Sequence, residues 1–195
     1  MSSSCVTLVF ATNNLHKLRE ARQILGGGFD VVSLKSIGCE DDLPETGDTL
    51  EFNSMQKARY VHEKYGVICF ADDTGLEVEA LDGRPGVYSA RYAGSVATSA
   101  DNITKLLQEL KGEANRKARF RTVITLVGMG DTVCFEGQIK GEITAVRSGE
   151  NGFGYDSVFV PEGQYRTFAE MPESEKNSFS HRSLALHQLQ DYLKV

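Results

Sequence analysis

The chain has 195 residues, 41% of them hydrophobic and 25% charged, which suits one globular domain with a sizeable core and excludes a disordered or fibrous chain. A formal net charge of −6 argues against a nucleic-acid backbone as partner, since phosphate contacts need clustered Lys and Arg, but leaves room for a small anion in a local basic pocket. Met1–Cys5 shows no basic or apolar leader and no apolar run reaches membrane-spanning length, so the expectation is a cytoplasmic protein with no membrane partner. Cys5, Cys39, Cys69 and Cys134 are dispersed and read as reduced structural thiols rather than zinc ligands.

Along the chain, Val6–Ala11 predicts a strand, Thr12-Asn13-Asn14 a tight turn, and Leu15, Leu18, Arg22 and Leu25 a helix that Gly26-Gly27-Gly28 breaks. Asp48 followed by Glu51 resembles a capping box opening a helix through Phe52, Met55, Ala58 and Val61, with Gly66 suited to close it. Val67 to Ala71 predicts a strand that stops on Asp72-Asp73. Leu76, Val78 and Ala80 alternate with Glu77 and Glu79 and predict a separate, half-exposed strand closed by the Asp82-Gly83 turn. Ser99 is placed to cap a helix carrying Ile103, Leu106, Leu107 and Leu110. Phe120–Val127 and Thr132–Glu136 predict strands joined by a hairpin at Gly128-Met129-Gly130-Asp131, with Gln138–Ala145 continuing the meander. Val158-Phe159-Val160 is a further strand and Ser180 to Leu193 a last helix. No repeat or linker divides residues 1–195, which read as a single α/β domain around a mixed twisted sheet.

Four stretches carry candidate chemistry. Phe70-Ala71-Asp72-Asp73-Thr74-Gly75-Leu76 ends an apolar run on two adjacent carboxylates whose repulsion calls for a cation, and Mg²⁺ favours one or two carboxylates plus substrate phosphates. A turn capped by Asp72, with Asp73 solvated, is the other reading of such a pair. Lys17 is a cation in the first turn of a helix, where an anion is favoured; with Thr12, Asn13 and Asn14 it suits a triphosphate, although no Walker pattern is present. Otherwise Asn14 is an N-cap and Lys17 a solvated lysine. Gly149–Asp156 holds Phe153 and Tyr155 among glycines, giving a ring to stack on a base and, in Asp156, an acceptor for its edge, or else a hairpin with core aromatics. Glu175–Arg182 gathers polar side chains at the start of the last helix; Arg182 and His181 are able to donate to a carbonyl oxygen, or form an ordinary charged helix start.

Together these blocks resemble the inosine triphosphate pyrophosphatase family, enzymes that hydrolyse non-standard purine nucleoside triphosphates. The resemblance rests on Thr12–Lys17, Glu45-Thr46-Gly47, Asn53 with Lys57, Ala71–Leu76, Gly86–Tyr92, Gly152–Asp156 and Glu175–Arg182, and spans nearly the whole chain. It implies an elongated α/β fold with a mixed sheet flanked by helices, two lobes around a substrate cleft, usually a homodimer, with Mg²⁺ as cofactor and small purine nucleoside triphosphates as ligands. Carried over by position, Asp73 resembles the catalytic carboxylate and a metal ligand, with Glu45 a second metal-binding acid and Asp72 beside them. Thr12, Asn13, Asn14, Leu15, His16, Lys17 and Lys57 would hold phosphates and Thr74 would touch substrate. Phe153 would stack on the purine, flanked by Gly154 and Tyr155, while Asp156, Lys176, Ser180, His181 and Arg182 would read or support it. Thr74 stands where the family commonly has serine and keeps the hydroxyl; Ser157 stands where proline is common. The implied reaction is attack of water at the α-phosphorus of ITP, dITP or XTP, releasing pyrophosphate. The alternatives are a pyrophosphatase or phosphatase for another modified nucleotide, and a nucleotide-binding sensor without turnover.

Overall fold

The computed structural model describes residues 6–194, so the expectations for Met1–Cys5 lie outside the described residues. Strand β1 (Val6–Phe10) leads into α1 (Leu15–Leu25), whose N-cap Asn14 accepts from the amides of His16 and Lys17. β2 (Phe29–Ser33) then pairs in parallel with β1, from Val6 opposite Phe29 to Phe10 opposite Ser33. The sequence pattern misses β2, because five residues directly after three glycines are too few to display a period.

Helix α2 (Leu50–Tyr65) is capped by the Thr49 hydroxyl, which accepts from Phe52 N at 3.2 Å, rather than by Asp48. Gly66 closes it with φ 65°, as its sequence position suggests. The main departure comes next. β3 (Cys69–Val78) is one strand running through Asp72-Asp73-Thr74-Gly75, not two pieces separated by the carboxylates. Pairing and burial override the poor strand propensity of Asp and Gly: Gly75 lies so close to β4 (Pro85–Gly86) that a Cβ there would sit 2.7 Å from the Gly86 carbonyl oxygen. Glu79–Leu81, expected to end a strand, form a 3-10 turn instead.

Helix α3 (Ser99–Glu109) is capped by Thr98, in a reciprocal box with Asp101, and not by Ser99. β5 (Lys117–Val127), β6 (Val133–Ile143) and β7 (Phe159–Pro161) follow, then the single turn α4 (Glu173–Lys176) and α5 (His181–Leu193). The sheet order is β2-β1-β3-β5-β6-β7, with β4 on β3. Parallel pairing of β1 with β2 and β3, and antiparallel pairing of β3 with β4 and β6 with β7, make it a mixed sheet of the expected α/β class.

Contacts divide the chain into two compact units, residues 1–73, 122–137 and 182–195 against residues 74–121 and 138–181. In the first, Leu8, Phe10, Phe70, Ile124 and Leu186 form a core in which the Phe10 and Phe70 rings stack 4.4 Å apart. In the second, Phe120, Phe159 and Phe168 interlock, with the Phe120 and Phe159 rings 4.7 Å apart. Cys39, Cys69 and Cys134 are free thiols. Among the described residues no helix is long and apolar enough to cross a membrane.

Candidate active site

The first unit gathers a cluster of charge around Asp72 and Asp73. Successive side chains of a strand point to opposite faces, so the two neighbours meet different hydrogen-bonding partners. Asp72, 1% exposed, receives Lys17 Nζ on Oδ1 at 3.0 Å and Arg182 Nε on Oδ2 at 3.0 Å. Arg182 in turn donates through Nη1 to Glu20, a buried residue of α1. Burial opposes ionisation of Asp72, but Lys17, Arg182 and Lys57 outweigh it and hold the carboxyl well below the usual carboxylate range. Burial lowers the affinity of Lys17 for its proton, and Arg182 and Lys57 lower it further against the pull of Asp72 and Asp73.

Asp73 turns to α2. Its Oδ2 accepts from Asn53 Nδ2 at 3.3 Å, and its Oδ1 lies 3.5 Å from Lys57 Nζ, which also pairs closely with Glu45. Here burial dominates and pushes the Asp73 carboxyl up; Glu45 and Asp72 add to it, while Lys57 and Lys17 oppose. Lys57 loses proton affinity to burial but regains more from Asp73, Glu45 and Asp72, so its ammonium is held charged.

The three acids named as metal candidates have different partners. Asp72 has two cations on its two oxygens and faces away from Asp73 and Glu45. Among the described residues no three His, Cys, Asp or Glu side chains group to hold a metal ion. The structure therefore brings together Glu45 and Asp73, both against Lys57, and leaves Asp72 to Lys17 and Arg182. At the start of α1, Thr12 Oγ1 accepts from Asn14 N at 3.1 Å and the Asn13 amide reaches the Asp41 carbonyl, while Leu15 and His16 are exposed.

The second unit holds an aromatic cluster. Lys176 Nζ donates to Asp156 Oδ2 at 2.7 Å and lies over the Phe153 and Phe168 rings, 4.8 and 5.5 Å from their centroids. Asp156 Oδ2 also accepts from Phe153 N at 2.9 Å, so ring, acid and ammonium are fixed as one group. Gly152, at φ 75°, is required: a Cβ there would collide with the Asp156 carboxylate. Phe153 is half-buried beside partly exposed Gly154, whereas Tyr155 is buried and donates to the Ser89 carbonyl at 2.9 Å. Ser180 is buried, and the His181 ring stacks on Phe120 with centroids 4.6 Å apart. Consecutive residues thus part company: His181 joins the aromatic core of its unit, and Arg182 joins Glu20 and Asp72 in the other. Thr74 on β3 is partly exposed.

One contributor escapes sequence reasoning: Glu20 has only its place on the Lys17 side of α1, at i+3, to mark it. Asn53 belongs to the blocks that carry the resemblance, but its bond to Asp73 comes from the fold alone. A separate concavity of about 750 Å³, lined by Glu77, Lys117, Arg119, Lys140 and Glu162 among others, shares no residue with either cluster.

Comparison with known proteins decides the kinship, because the Ham1 family model matches residues 8–192. The chain belongs to the Ham1 family. It is 55% identical to the dITP/XTP pyrophosphatase of Porphyromonas gingivalis over 95% of this chain and 96% of that one. It is 52% identical to the dITP/XTP pyrophosphatase of Flavobacterium johnsoniae, over 95% and 97%. Among solved structures, the Staphylococcus aureus Ham1 protein aligns with a TM-score of 0.87 at 38% identity, covering 96% of this chain and 98% of that one. A HAM1 protein from Coxiella burnetii aligns at 0.88 and 37%, covering 97% and 98%. In this chain Glu45, Asp72 and Asp73 lie in one unit and the group of Phe153, Asp156 and Lys176 in the other.

Proposed function

We propose that this chain hydrolyses non-standard purine nucleoside triphosphates of the dITP and XTP class to the monophosphate and pyrophosphate. The observation that carries the reading is Asp73, a buried carboxylate pushed up by desolvation, held by Asn53 and set beside the Lys57–Glu45 pair. The names of the relatives support the same substrate class.

A divalent cation, Mg²⁺ in this proposal, fits Glu45 and Asp73: both are hard oxygen donors, both approach the same ammonium, and a cation would offset the burial that pushes Asp73 up, together with the smaller push from Glu45. When bound it supplies charge neutralisation to the triphosphate. Lys17, Lys57 and the turn Thr12–His16 bind phosphate oxygens, with Lys17 held in place by Asp72. Asp73 orients the water that attacks the α-phosphorus and accepts its proton, a task that a raised carboxylate performs better than an ordinary one. Phe153 stacks on the purine. Lys176 donates to the 6-oxo group and Asp156 accepts from N1–H, with His181 and Ser180 supporting that edge, while Arg182 stays with Asp72 and Glu20. Adenine offers the reverse pattern, and each unpaired buried group costs about 1 to 3 kcal/mol. A homodimer, implied by the family resemblance, belongs to the same reading and is read by sedimentation.

The test supplies dITP, XTP and dATP with Mg²⁺ and measures pyrophosphate and orthophosphate separately. Pyrophosphate from dITP and XTP, with kcat/KM on the order of 100-fold or more above dATP, is expected from two mismatches. Orthophosphate alone would make the chain a phosphatase, and tight binding without turnover a sensor.

A further inference from the structure

We propose that Asn53 is the positioning residue that sets Asp73 and the Glu45 loop against each other, an inference that rests on the reading of those two acids given above. Helix α2 presents Asn53, Gln56 and Lys57 on one face, at i, i+3 and i+4. That face clasps Glu45-Thr46-Gly47 residue by residue. Lys57 pairs with Glu45; Gln56 accepts from Thr46 N at 3.0 Å and donates to its hydroxyl at 2.9 Å; Asn53 Oδ1 accepts from Gly47 N at 2.8 Å while Nδ2 lies 3.4 Å from the Gly47 carbonyl. Asn53 alone also donates to Asp73 without bringing a charge.

Asn53 is 0% exposed. Its planar amide donates on one side and accepts on the other, so a single rigid group fixes the orientation of the Asp73 carboxylate and the path of the loop two residues beyond Glu45. No charged side chain can replace it: a carboxylate would have no N–H for Asp73, and an ammonium would have no acceptor for Gly47 N. Outer partners of this kind typically change metal affinity or activity by about 10- to 100-fold when removed.

The experiment compares Asn53→Ala, which removes both links, with Asn53→Asp, which keeps an acceptor for Gly47 but no donor for Asp73. Mn²⁺ binding to the nucleotide-free protein is followed by electron paramagnetic resonance, and kcat and KM for dITP are measured at saturating Mg²⁺, with melting temperatures and Asp73→Asn alongside. For Asn53→Ala, Mn²⁺ affinity and kcat should each fall about 10- to 100-fold while KM moves less than about threefold. For Asn53→Asp, kcat should fall at least about 10-fold, and the second buried carboxylate beside Asp73 should also lower the melting temperature. A natively folded Asn53→Ala that keeps kcat and Mn²⁺ affinity within about threefold, while Asp73→Asn is inactive, overturns the inference alone. Should Asn53→Ala not fold, native kcat in Asn53→Asp overturns it. Full turnover by Asp73→Asn overturns the reading of Asp73, and this inference with it.

Discussion

Replacing Lys176 by Met keeps most of the aliphatic stem and deletes only the ammonium, so it isolates what that charge does. The side chains of Lys176 and Asp156 are 4% and 5% exposed, and their 2.7 Å pair is shielded by the Phe153 and Phe168 rings. Removing one partner leaves the Asp156 carboxylate buried without its ammonium, though the Phe153 amide still donates to it, and breaking a buried pair in this way costs about 3 to 5 kcal/mol. For a chain of this size that corresponds to a melting temperature lower by roughly 6 to 20 °C. On the proposed reading the lost donor also removes one of the two contacts that would separate a 6-oxo purine from adenine, worth about 1 to 3 kcal/mol, so the dITP over dATP ratio should shrink roughly 5- to 150-fold. Calorimetric melting and kcat/KM for both nucleotides at 20 °C, below the transition, give the two numbers independently. An unchanged melting temperature would refute the buried pair. An unchanged ratio, with both substrates slowed alike, would remove Lys176 from base recognition.

Asp73→Asn keeps the acceptor for neighbouring donors but removes the charge, and turnover of dITP should fall at least about 100-fold with an unaltered circular dichroism spectrum. Lys17→Ala should raise KM for triphosphates more than it changes the dITP to dATP ratio; a constant KM with lost thermal stability would show the lysine to be structural. Because Asp72 is held below its unfolded value, it contributes stability that is complete above the unfolded carboxylate pKa of about 4 and is lost as pH falls below it, so melts should steepen their decline under that pH and Asp72→Asn should flatten it. Asp73 is shifted the other way, and in the metal-free protein its carboxyl, followed by NMR titration, should titrate above the ordinary carboxylate range; titration within or below that range would show that burial does not govern its proton affinity.

Much of this was legible in the chain, and the gaps have physical causes. The strand, turn and helix through Leu25, and the end of α2 at Gly66, follow from periodicity and from a glycine that adopts φ 65°. Cap positions slipped by one residue at Thr49 and Thr98, where several side chains in a row were chemically able to accept. The break expected at Asp72 did not occur because the propensity of a few polar residues is small beside the burial of a whole strand. Residue types named the candidate site, but partnership had to come from the fold. The sequence shows two adjacent acids and several cations, and only the alternation of β3 assigns Lys17 and Arg182 to one and Lys57 to the other.

That alternation makes the reading frame of one strand a safeguard on the chemistry. A slip of β3 by a single residue would exchange the two acids between faces, carrying Asp72 to Lys57 and Asp73 to Lys17 and Arg182. The same slip would turn Phe70 out of its stack on Phe10. One register thus serves the ion pairs of both acids and the aromatic core together, so a chain that loses the first in this way loses the second as well.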